Sequence, residues 1–231
     1  MTLPVACIRR IVPPRSLWLW AVGLVCLPIV WVVVDPWSEA VRQALVSVPG
    51  SYAFFKAVQV FGKFETQAAM LLVAYLLARR VHRRQANSFI LMCLVVLLAG
   101  GACVTALKLI VRRERPAVVA DRIVAEGAAQ EIRTGKRMSF PSGDTESAFA
   151  LACVIATFCG RLRRPAFVVA ALVGLSRVYF GCHYFSDVLG GALLGTLVAT
   201  IILTMYRSRR FNAAPQAGEL VDCASPVTHG Q

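Results

Sequence analysis

Three stretches of this chain carry side chains whose types and spacing suit one chemistry, the handling of a phosphate group. The first, Lys108-Leu-Ile-Val-Arg-Arg-Glu-Arg115-Pro116, sets a lysine two helical turns before an arginine. Both face one side if the helix continues, and Pro116 then stops it and turns the chain out. Arginine offers a planar fork that matches phosphate oxygens, and lysine a compact charge. The second, Ser139-Phe-Pro141-Ser142-Gly143-Asp144-Thr145-Glu146, reads as a helix amino terminus. Its exposed N–H groups and dipole favour an anion, and Gly143 lets the backbone come close. The third, Ser176-Arg177-Val-Tyr-Phe-Gly-Cys-His183-Tyr-Phe-Ser-Asp187, adds another guanidinium and a histidine with an acid one helical turn on. On a helix, Asp187 can accept from one ring nitrogen of His183 and leave the other as a nucleophile.

The elements that must position these residues follow from composition. Of 231 residues 58% are hydrophobic and only 16% charged, and the mean hydropathy is +0.65. That is too apolar for an ordinary soluble domain or a disordered chain. Six segments read as membrane-spanning helices at about 20 residues per bilayer: 17–34, 64–78, 88–107, 146–160, 165–180 and 188–206. The expected fold is therefore all-α, a six-span bundle over 1–211, with 212–231 as a disordered cytoplasmic tail. Asp35–Gly62 reads as an amphipathic segment lying on the membrane.

The charge map supports that topology. Arginines cluster at 9, 10 and 15; at 79, 80, 83 and 84; at 161, 163 and 164; and at 207, 209 and 210. With both termini cytoplasmic, all four clusters fall inside. The three motifs then share the outer, periplasmic face of a cell inner membrane. The net charge of +13 does not point to nucleic acid, because the basic residues divide between the two faces. Lys108, Arg112, Arg113, Arg115, Arg122, Arg133, Lys136, Arg137 and Arg177 are cations on the outer side that topology does not require. Phosphate binding does require some of them. Of these, Arg112 and Arg113 read best as headgroup contacts or solvated charges. The eight cysteines form no Cys-x-x-Cys pair, so neither a zinc site nor a redox motif is supported. Trp18, Trp20, Trp31 and Trp37 read as interface anchors, and Gly191-x-x-x-Gly195 as close packing of the last span. Glu65 and Gln67 read most simply as interfacial.

Lys-x6-Arg-Pro, then Pro-Ser-Gly, then Ser-Arg-x5-His-x3-Asp, in that order, resembles the type 2 phosphatidic acid phosphatase superfamily. The resemblance implies an integral-membrane lipid phosphatase or diphosphatase that uses no metal or other cofactor. It implies that Lys108, Arg115 and Arg177 hold the phosphoryl oxygens, with Ser142 and Gly143 adding hydroxyl and N–H contacts. It also implies that His183 attacks phosphorus to give a phosphohistidine and that Asp187 orients it. The implied partner is a membrane lipid phosphate: a lipid A or other glycolipid, a polyprenyl pyrophosphate, or phosphatidic acid or phosphatidylglycerol phosphate. A lipid phosphotransferase on the same scaffold, and a catalytically weak phospholipid-binding protein, are the alternatives.

One position departs from the family pattern, which has histidine after Pro-Ser-Gly as acid to the leaving oxygen. Here Asp144 stands there, with a reference pKa of about 3.9 that a helix amino terminus lowers and a bound phosphate raises. Three readings stay open: Asp144 is the acid, or the leaving group needs little help, or the chemistry is weak. Glu146 falls on another helical face and is a poor substitute.

Overall fold

The computed structural model describes residues 22, 23, 25–116 and 138–213. Among these residues there is no strand. A helical run, Val25–Val46, passes through a π turn at Val30–Val34 and a tight turn at Asp35–Trp37. It ends as α1, Ser38–Val46. Then come α2, Ser51–Gly62; α3, Phe64–Val81; and α4, Arg83–Val111. The remainder are α5, Gly143–Phe158; α6, Arg163–Tyr179; and α7, Phe185–Ala213. Ala213 is the last described residue, so the expected tail, like Trp18, Trp20 and Arg122–Arg137, lies outside the described residues.

By length and composition, Arg83–Val111 and Phe185–Ser208 are each able to cross a bilayer. Val25–Val46 and Ser51–Gly62, bent 117° to one another, would together make a third span. The expected spans at 64–78, 88–107, 146–160, 165–180 and 188–206 each fall within or nearly within one helix, α3 to α7. The segment Asp35–Gly62 holds a helix pair whose second member docks on the end of α6. There Phe55 stacks on Tyr179 at 4.3 Å between ring centres, and Ser51 Oγ lies 3.0 Å from the Tyr179 hydroxyl.

The core forms where α4, α5 and α7 meet, around Cys93, Val96, Ala150, Val154 and Ala199. Small residues allow the approach, as expected for Gly191 and Gly195. A Cβ on Gly195 would stand 2.2 Å from the Glu146 carbonyl oxygen, and one on Gly191 2.5 Å from that of Ser142. Helix α7 therefore lies almost backbone to backbone on α5. Gly100 on α4 leaves the space that the buried Glu146 side chain fills. Glu146 is thus turned into the core and away from the phosphate motif. Gln67 is also buried, against the interfacial expectation, and its Nε2 donates to the Phe61 carbonyl at the end of α2 at 3.2 Å. Glu65 is exposed.

Chain direction sets the two ends of the bundle apart. The carboxyl ends of α4 and α6 and the amino ends of α5 and α7 meet at one end, with the three motifs. Arg79, Arg80, Arg83, Arg84, Arg161, Arg163, Arg164 and Arg207 occupy the other.

Candidate active site

Helix α4 stops earlier than its motif suggested. Arg112 takes a left-handed conformation (φ 47°) and its N–H donates to the Lys108 carbonyl at 3.1 Å. A non-glycine residue there is uncommon and costs roughly 1 kcal/mol. The turn moves Arg113 and Arg115 off the helix line, so Lys108 and Arg115 do not share a helical face. They converge through the turn instead. Lys108 Nζ lies 4.0 Å from where a Gly143 Cβ would be, which places the ammonium over the amino end of α5. Arg115 is 4% exposed, deep enough for its charge to act on His183.

The Pro-Ser-Gly segment is held from both sides. Ser139 N–H donates to the Arg113 carbonyl at 2.9 Å, and Ser142 N–H to the Asp187 carbonyl at 3.0 Å. Ser142 caps α5 with extended backbone, and its buried hydroxyl accepts from Thr145 Oγ1 at 2.9 Å. The first N–H groups of α5 therefore open toward the cations, as an anion site needs.

His183 does not sit on a helix with Asp187, as the spacing suggested. It lies in the turn after α6, where its N–H donates to the Arg177 carbonyl at 3.3 Å, and α7 begins two residues later. Asp187 occupies the first turn of α7 and reaches back, its Oδ2 accepting from the Tyr184 N–H at 2.9 Å. This is half of a capping box, and it aims the carboxylate at the preceding turn. His183 Nδ1 stands 3.6 Å from Asp187 Oδ2, an ion-pair distance just beyond a hydrogen bond. Catalytic contacts are often this loose in an empty site. Nε2 is the ring nitrogen left for a substrate. Burial lowers the imidazole below its usual range; Asp187 pushes the other way, and Arg177 and Arg115 add to the lowering. The ring is thus held neutral.

Arg177, 2% exposed, meets Asp144: Nη1 is 3.2 Å from Oδ2. The residue that departs from the family pattern therefore faces the centre and occupies the very guanidinium expected to hold phosphate. Lys108, Arg115, Ser142, Gly143, Asp144, Arg177, His183 and Asp187 all converge at one end of the bundle.

Sequence reasoning missed one large part of the site. Arg113, expected to be solvated or on a headgroup, is half-buried and bridges two acids. Its Nη1 donates to Asp187 Oδ1 at 2.8 Å and its Nη2 to Asp35 Oδ2 at 2.6 Å. The guanidinium lies 4.0 Å from the ring centres of both Trp31 and Tyr184. Trp31, expected as an interface anchor, is therefore also a wall of this cluster. Ser139 Oγ donates to Asp187 Oδ2 at 2.5 Å. Only Asp35-Pro36-Trp37, an acid directly after the first span, hinted at it in the sequence.

Beside the site an apolar cavity of about 400 Å³ runs between α3, α5 and α6. Its walls include Met70, Leu71, Ala148, Ile155, Val169 and Val173. Ala148 is one turn along α5 from Asp144, so the cavity begins where the polar cluster ends.

A model of the PAP2 superfamily matches residues 88–211. The decaprenylphosphoryl-5-phosphoribose phosphatase of Mycolicibacterium smegmatis is 34% identical over 152 residues, covering 66% of this chain and 77% of that protein. In fold the chain is similar to a transmembrane PAP2-type phosphatidylglycerolphosphate phosphatase from Bacillus subtilis. That match has a TM-score of 0.62 at 23% identity, over 85% of this chain and 96% of the other. It is also similar to LpxE of Aquifex aeolicus, with a TM-score of 0.57 at 24% identity, over 71% of this chain and 93% of the other.

Proposed function

The chain belongs to the PAP2 superfamily of membrane lipid phosphatases, phosphoric-ester hydrolases, and on that premise we propose that it removes the phosphomonoester of a polyprenyl-linked sugar phosphate. The observation that carries the reading is the convergence of Arg115 and Arg177 on the buried His183–Asp187 pair, with Lys108 over the amino end of α5. The mycobacterial relative, named for such a substrate, supports the sugar phosphate. The apolar cavity one turn from Asp144 supports a long lipid chain lying along α5.

In the proposed reaction the phosphoryl group displaces Asp144 from Arg177. Its oxygens are held by Lys108, Arg115, Arg177, the Ser142 hydroxyl and the N–H of Gly143. His183 Nε2 attacks phosphorus in line while the bond to the leaving oxygen breaks. Asp144, now beside an anion rather than a guanidinium, carries a proton and gives it to that oxygen. Asp187 stabilises the cationic ring. Water then attacks the phosphohistidine, Asp144 takes its proton, and the phosphorus–nitrogen bond breaks to free inorganic phosphate. Fixed cations act most strongly on the charge that builds in each transition state, at a few kcal/mol apiece.

The site would face the periplasm, with six spans and both termini in the cytoplasm. The arginine clusters at the opposite end of the bundle support this orientation.

The test is phosphate release by the detergent-purified protein from a panel of lipid phosphates, beside His183→Ala. The panel holds a polyprenylphosphoryl phosphoribose, a polyprenyl pyrophosphate, phosphatidic acid, phosphatidylglycerol phosphate and lipid A. We expect the fastest release from the first and none in the variant. Release that survives in His183→Ala, or appears only from the diacyl lipids, overturns the proposal.

A further inference from the structure

The Arg113 cluster joins parts of the chain that no motif connects. Asp35, 5% exposed, lies at the end of the first helical segment. Its Oδ1 accepts from the Ser186 N–H of α7 at 3.0 Å, and its Oδ2 accepts from the Ser186 hydroxyl. Arg113 Nη1 also donates to Ser186 Oγ at 2.6 Å. One guanidinium thus spans two buried carboxylates from distant helices, with two aromatic rings 4.0 Å from it. Its Nη1 and Nη2 are both engaged by acceptors inside the protein, and two aromatic rings pack against it.

From this geometry we propose that Arg113 is a positioning residue, which fixes the Asp187 carboxylate against His183 and ties it to the first helical segment. The proposal rests on the phosphohistidine reading of the same site. The argument is one of constraint. Asp187 Oδ1 is held by Arg113, and Oδ2 by Ser139 and the Tyr184 N–H. The carboxylate can neither rotate nor swing, so the edge it turns to His183 Nδ1 is set before substrate arrives. Lysine cannot do this, because a single ammonium does not reach two acids in fixed directions. Arg113 also offsets part of the charge of Asp187. His183 therefore faces Asp187 from α7, Arg177 from α6 and Arg115 from the turn after α4, with Arg113 behind Asp187.

Removing Arg113 alone would strand two buried acids and could unfold the protein. The test variant is accordingly Arg113→Gln with Asp35→Asn, which deletes one positive and one negative charge together. Asp35→Asn alone, which keeps an oxygen for Arg113 to donate to, is the control. The probes are turnover of a polyprenylphosphoryl phosphoribose and, on the same samples, orthovanadate binding read as a thermal shift.

We expect the control to keep kcat within about 3-fold, and the double variant to lose kcat about 10- to 100-fold with KM nearly unchanged. We also expect the acid limb of kcat/KM in the double variant to move up by about one pH unit, because His183 then feels more of the Asp187 charge. A folded double variant with the wild-type kcat and pH profile overturns the role of Arg113 while leaving the phosphatase reading intact. So does an Arg113→Lys variant with wild-type kcat. A wild-type protein that neither turns over the lipid nor binds orthovanadate overturns the phosphatase reading itself.

Discussion

Asp144 is held by Arg177, and His183 is held neutral by its burial. These two facts set the expected pH behaviour. With His183 as the proposed nucleophile, which must be unprotonated, the acid limb of kcat/KM should fall below the ordinary histidine value of about 6.5. Asp144 is the proposed acid to the leaving oxygen. Asp144→Asn should then lose about 10²- to 10⁴-fold in kcat on an alkyl phosphate, and much less on p-nitrophenyl phosphate, whose leaving group needs no proton. A pH–rate series on the two substrates separates these outcomes, and equal losses on both would remove Asp144 from the acid role. The residues of the three motifs were legible in the sequence because their chemistry is local to short segments. Arg113 was not. Its identity as a cation on the outer side was plain, but its partners Asp35 and Trp31 lie on another helix, and only the folded chain brings them to it.

At the scale of the helix, the two readings from spacing that failed share one cause. Lys108 with Arg115, and His183 with Asp187, share a face only if a helix runs through both, and in each case the chain turns between the two residues. A period of 3.6 locates residues on a helix but does not say where the helix ends; Arg112, an unlikely left-handed residue, gave no sequence signal of the stop. Glycine spacing was the better guide. Gly195 sits over the Glu146 backbone, which cannot retreat as a side-chain tip would. Gly195→Ala should therefore lower stability by about 1–3 kcal/mol. Gly101 on α4 has nothing within 4 Å of where a Cβ would go, and Gly101→Ala should raise stability by about 0.5–1 kcal/mol through helix propensity. Thermal unfolding of both variants in detergent checks the pair. A Gly195→Ala protein as stable as wild type would mean that α5 and α7 are less tightly opposed than described.

For the whole molecule, the bundle has two chemically different ends: arginine clusters at one, and phosphate-matched cations with acids among them at the other. The six-span orientation predicts that a green fluorescent protein fused after Gln231 fluoresces in cells, and that alkaline phosphatase fused at Gly160 stays inactive. The opposite pair of results would invert the topology. The class of fold was readable from apolar run lengths and arginine periodicity. The docking of α2 on α6 was not, since Phe55 and Tyr179 look in sequence like any aromatic residues near an interface.

The carboxylate resting on Arg177 makes the centre compete with its own ligands. A tethered competitor is always present at high local concentration, and it weakens every phosphate-bearing visitor by the same factor. A lipid substrate would recover that loss by burying its chain along the cavity beside α5, at about 25 cal/mol per Å² of apolar surface. Inorganic phosphate has no chain to bury. An enzyme built this way would clear its product after each cycle, and would go on working at phosphate levels that stall a site whose arginine stands open.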